Sequence, residues 1–170
     1  MPVRTYASTV VSPDEEIEFA EAQPETILDR MGQRATAGSG WINFLPEVEP
    51  DAEIPSSGGL MSFFSARGPA IPLATWSAGE PTKRGQGRSS LGLQHSSGPR
   101  ALAQLAELQI ALPAGWIKVQ DHPRRGLVGT VPPDLDHEDI LHWLLSAAHA
   151  LSAVPLTGDW LARVYSGGRG

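Results

Sequence analysis

One stretch constrains the fold of this chain more than any other: residues 115–154, GWIKVQDHPRRGLVGTVPPDLDHEDILHWLLSAAHALSAV. Trp116 to Gln120 gathers aromatic and β-branched residues into a short run that suits a half-buried strand. Asp121 to Gly126 then supplies turn chemistry, with Pro123 fixing φ and Gly126 tolerating a positive one. Leu127 to Val131 resumes the apolar pattern, so 116–120 and 127–131 are expected to pair as an antiparallel hairpin. Pro132 and Pro133 cannot donate to a ladder and end it. Asp136 is placed to accept from the free amides of a first helical turn, and Glu138 and Asp139 sit where the helix dipole favours negative charge. From there Ile140, Leu141, Leu144, Leu145, Ala148 and Leu151 repeat at helical spacing. They predict a helix over 137–153 with a wide apolar face, stopped by Pro155 and Gly158.

Residues 140–158 carry no formally charged side chain, which raises the question of a membrane span. His142, Ser146, His149, Ser152, Pro155 and Thr157 interrupt the window, and a helix buried between protein layers needs no more hydrophobicity than this. No span is expected. The N-terminal residues show no charged segment followed by a long apolar one, so no signal peptide is read and a cytoplasmic location is the default. The chain has no cysteine, which excludes disulfides, thiolate metal sites and a cysteine nucleophile.

A length of 170 residues suits one domain, expected over 1–165 with 166–170 as a flexible tail. Eighteen glycines and fifteen prolines predict many short strands and turns. Tyr6 to Val11 has a strand pattern. Ser12, Pro13 and the acids Asp14, Glu15 and Glu16 match a helix start, and a second short helix is expected at 24–32 with Ile27, Leu28 and Met31 buried and Gly32 near its end. Trp41 to Leu45 is a strand, followed by an exposed acidic loop at 46–59. Leu60 to Ala66 and Ile71 to Trp76 are two more strands, with Arg67-Gly68-Pro69 as the turn between them. Residues 77–88 form a basic, glycine-rich, mobile loop. Ser89 to His95 returns as a strand, Arg100 to Gln109 is a helix with Leu102, Leu105 and Leu108 inward, and Trp160 to Tyr165 is a closing strand.

Short connections favour antiparallel pairing. The expected fold is therefore α+β: a mostly antiparallel sheet with two main helices packed on one face, a two-layer sandwich. In outline this order is similar to small bacterial chaperone-like domains of the secretion-chaperone type, in which helices cover one side of an antiparallel sheet. The likeness is one of element order and rests on no motif.

Candidate chemistry is sparse. His137 and His142 resemble part of a zinc-protease motif, but five residues on a helix place them about 140° apart, so one metal does not take both. His142 and His149 share a face but lie roughly 10 Å apart along the axis. Asp121 and His122 combine on paper with Ser96, Ser97 or Ser146, yet neighbours in a strand point apart and no G-x-S-x-G elbow is present. No cofactor and no metal are expected. Lys83, Arg84 and Arg88 lie in the basic loop, and Arg100, Arg124 and Arg125 are candidates to join them in a patch for phosphate ligands or nucleic acid. The net charge of −6 hides an imbalance: residues 1–60 carry eleven acids against three bases, and residues 61–130 three acids against eight bases. Such asymmetry marks a binding face or neutralises itself in the fold.

The leading expectation is a non-catalytic interaction protein, adaptor or chaperone-like. It would self-associate as a homo-oligomer or bind a protein partner, through the helix layer at His142, Trp143 and His149 or through an open sheet edge. Phosphate or nucleic-acid binding is second. Third is an enzyme assembled from scattered residues, with His95, Asp121 and His122 foremost.

Overall fold

The computed structural model describes residues 11–54 and 68–167. The decided stretch folds as its residues require. Strand β7 (Ile117–His122) and strand β8 (Gly126–Val131) form the antiparallel hairpin, and Gly126 takes φ +84° at its turn. A Cβ at Gly126 would lie 2.5 Å from the Leu93 carbonyl oxygen, so no larger residue fits there without a shift. Helix α3 (His137–Leu151) follows, and the Asp136 carboxylate accepts from the Glu138 amide at its start. Eight residues of α3 are buried, from Ile140 to Leu151.

The other elements, in chain order, are β1 (Glu15–Ala20), α1 (Glu25–Ala37), β2 (Trp41–Val48), β3 (Leu73–Ser77), β4 (Pro81–Thr82), β5 (Gly85–Gln86), β6 (Ser89–Gln94), α2 (Ala101–Glu107) and β9 (Leu156–Tyr165). Seven strands make one sheet in the order β1-β9-β2-β3-β6-β8-β7, and every neighbouring pair is antiparallel. Strands β1, β2, β6 and β7 therefore all run the same way and finish at one end of the sheet, here its upper end. Strands β3, β8 and β9 begin there. Helix α3 lies between α1 and α2 on one face, over the middle strands. Ile42, Phe44, Ala74, Trp76, Leu91, Leu93 and Trp160 point into that layer and are fully or almost fully buried. Each large side chain so buried contributes about 1.5–3 kcal/mol. The result is a mixed α+β fold, a large antiparallel sheet covered by helices as a two-layer sandwich. Three helices, not two, make the second layer, and this accounts for the wide apolar face of α3: sheet, α1 and α2 pack around it.

Several local expectations are corrected. The stretch after Ser12 is strand β1, not a helix. Its alternation puts Ile17 and Phe19 inward and Glu16 and Glu18 outward, and pairing with β9 sets Phe19 opposite Trp160 and Glu16 opposite Arg163. Helix α1 does not end near Gly32. It runs on until Gly38 takes the left-handed conformation at φ +64° and caps it, because Ile27 and Met31 are continued by Ala35 on the same face. The basic segment 77–88 is not a loose loop: β4 and β5 pair, and Thr82 Oγ1 donates to the Gly85 carbonyl at 2.8 Å. The strands expected at 6–11 and 60–66 fall outside the described residues, apart from Val11, as do Arg67 and residues 55–59 of the acidic loop. Among the described residues, no helix is long and apolar enough to cross a membrane.

Candidate interaction edge

Strand β7 has one neighbour in the sheet, β8, so its other side is an edge. Its register with β8 shifts between Lys118 and Gln120, which makes Val119 the extra residue of a bulge. The side chains there are apolar and unprotected: Ile117 is 52 % exposed and Val119 62 %. No backbone partner for 117–122 other than β8 is present among the described residues. An edge of free amides and carbonyls flanked by exposed apolar side chains is a template for another strand.

Beside the start of β7 an open groove of about 400 Å³ lies between α3 and the segment 109–116. Ile110, Pro113, Trp116, Leu135 and Trp143 give it apolar walls, and Asp139 and His142 stand at its rim. Trp143 is its fixed floor: the indole Nε1 donates to the Ala111 carbonyl at 3.1 Å, and the ring meets Trp116 edge-on at 5.3 Å. Of the three α3 residues singled out from the sequence, His142 and Trp143 thus come together at one groove. His142 is exposed, while Trp143 is buried. His149 lies elsewhere, against Glu21 and edge-on to Trp160. Ile117 and Val119 were not singled out as site residues. The available signal was apolar residues at 116, 117 and 119, a run that breaks the alternation of a strand covered on one face only.

The six candidate cations divide between the two ends of the sheet. Lys83 and Arg84 sit at the β4–β5 turn and Arg88 just before β6, all at the lower end. Arg88 is engaged there, donating to the Gly115 carbonyl at 2.7 Å and to Thr130 Oγ1 at 3.0 Å. Arg100 precedes α2, and Arg124 and Arg125 form the β7–β8 turn at the upper end. Six residues of strand separate the groups, about 20 Å. The described part of the acidic loop, with Glu49 bonded to the Pro155 carbonyl, also lies at the upper end, so it does not cover the basic hairpin below.

His95, Asp121 and His122 each hold the backbone. The Asp121 carboxylate accepts from the Ala101 and Leu102 amides, both at 3.0 Å, capping α2. His122 Nδ1 accepts from the Arg124 and Arg125 amides, both at 3.1 Å, closing the β7–β8 turn. His95 is fully buried, and its Nδ1 takes the Ser97 amide at 3.3 Å and lies 2.8 Å from Ser97 Oγ. An amide only donates, so Nδ1 is bare and the proton sits on Nε2. Nε2 has no partner among the described residues. Burial pushes the imidazole below its ordinary 6.5, against the pull of Asp121. A serine and a histidine do meet, but no carboxylate orients the histidine. Among the described residues there is no cluster of side chains able to hold a metal ion.

Set against known proteins, the chain matches no family model, no curated protein and no solved structure.

Proposed function

We propose that this protein is a non-catalytic interaction module that takes an extended segment of a protein partner onto the β7 edge. The observation that carries this reading is the pairing of an unpartnered edge, with Ile117 and Val119 more than half exposed, and the Trp-floored groove beside it. Main-chain hydrogen bonds to the edge would supply affinity, and an apolar side chain seated in the groove would supply selectivity. The helix layer is the weaker surface, because α1, α2 and the sheet already occupy the apolar face of α3. Phosphate or nucleic-acid binding would have to work from one group of three cations, which weakens it as an alternative.

A photo-crosslinking amino acid placed at Val119 tests this in the protein's own cell. A discrete adduct at position 119, absent with the same group at the exposed helix position Gln33, is the expected result. Equal labelling at the two positions, or none at either, overturns the reading.

A further inference from the structure

The charge imbalance of the chain becomes an imbalance across the sheet. The segment building β1, α1 and β2, residues 11–54, carries eleven acids against two bases. The segment from β4 through β8, residues 81–131, carries two acids against seven bases. The two edges therefore carry opposite signs. At the upper end of the β1 side, Glu18, Glu25, Glu47 and Asp159 surround a groove of about 810 Å³ that includes Leu45 and Leu161. At the upper end of the β7 side stand Arg100, Arg124 and Arg125, with Lys118 lower on the strand. None of these eight residues is in an ion pair among the described residues.

We infer that the partner at the β7 edge is a second copy of this chain, joined head to tail through its β1 edge. The inference rests on the reading of β7 as the binding edge. Charge decides the pairing. Two β7 edges joined about a twofold axis would run antiparallel and bring the upper Arg124–Arg125 corner of one copy toward the lower, Arg88 corner of the other, with like charges facing. Two β1 edges would set Glu16 and Glu18 against themselves. Only β7 on β1 matches plus with minus. Because both strands run the same way, the next copy joins β1 to β7 in parallel and sets upper corner beside upper corner. The reverse orientation would face the arginines with Asp14, Glu15 and Glu16, which already bind Ser166, Arg30 and Arg163. Lys118 and the Val119 bulge then act as a condition on the partner, admitting an acidic edge and refusing a neutral flat one. Such a contact leaves a free edge at each end, so it builds chains or rings and not a closed dimer.

Sedimentation velocity over a range of protein concentrations, at low and at high salt, tests this with the full chain. The wild type should form species that grow with concentration and disperse as salt is raised. Arg124→Glu with Arg125→Glu should abolish association, as should Glu18→Lys with Glu47→Lys. All four positions are exposed, so both variants should keep the wild-type circular dichroism. An equimolar mixture of the two should associate again, since each contact then joins opposite charges. A wild type that stays monomeric at every concentration, a single dimer that does not grow, or a mixture that stays dissociated overturns the inference. The binding-edge reading is judged separately: an adduct at position 119 to a different chain keeps it while the second copy is excluded.

Discussion

At one edge of the sheet, β1 turns Glu16 and Glu18 to solvent, and its acids are tied down, Glu15 to Arg30 and Glu16 to Arg163. At the other edge, β7 shows Ile117 and Val119, a bulge and a lone Lys118. Both edges end the same sheet, yet they are guarded differently. Charges directly on an edge discourage pairing with an arbitrary strand, whereas exposed apolar residues beside free backbone groups invite it. The difference shows where this protein has left itself incomplete. The supports under the edges differ as well: a Trp116–Trp143 pair lies at the foot of β7, while Trp160 backs β1 and donates to Glu21 at 2.7 Å.

The largest effect is expected from removing the support on the β7 side. Trp143→Ala deletes a buried indole and frees the Ala111 carbonyl, and should cost about 3–5 kcal/mol in urea unfolding. If the chain stays folded, crosslinking at position 119 should fall with it. A loss below about 1 kcal/mol would show the groove to be a loose surface feature.

The two sides should also part company in acid. His95, beside the β7 corner, and His137, packed on Trp76 at 5.5 Å, are both held below 6.5 by burial, opposed by Asp121 and Asp136 respectively. The unfolded chain therefore takes up these protons first, so stability is greatest above 6.5 and declines as the pH falls from there. On the β1 side, the hydrogen bonds from Ser166 lower Asp14 and the bond from Arg30 lowers Glu15. Their contribution is present in full above 4.5 and is lost as the pH falls further. Urea midpoints should therefore drop in two steps. His95→Asn keeps an acceptor for the Ser97 amide and cannot titrate, so it should shrink only the upper step. An unchanged upper step would remove His95 from the account.

The smallest effect is expected at the guarded edge itself. Glu16 and Arg163 are both well exposed, and a double-mutant cycle on them should give a coupling of about 0.2–1 kcal/mol. A much larger coupling would mean that β1 is held by its charges and not by Phe19 and Trp160.

The segment 115–154 was legible because several local signals agree there: hairpin turn, double proline, N-cap and helical period all point to one structure. Strand β1 was misread because Ser-Pro followed by acids is a helix signature, while the alternation of Ile17 and Phe19 spans only six residues. Its strand state is decided by β9, more than a hundred residues away. The end of α1 was missed for a related reason: Gly32 costs the helix about 1 kcal/mol, and tertiary burial of Ile27 and Met31 overrides it. The site was less legible than the fold. That Val119 faces solvent depends on β7 being the last strand, and strand order is a long-range property. The separation of the cations into two groups, and of the acids from the bases, follows from the same order.

The most direct test of the β7 edge is residue-resolved hydrogen exchange on the free protein and on its associated state. The account predicts that amides within 117–122 exchange quickly when the protein is free and become protected on association, while those of α3 do not change. Protection appearing on the outer surface of the helices, with β7 unaltered, would contradict it.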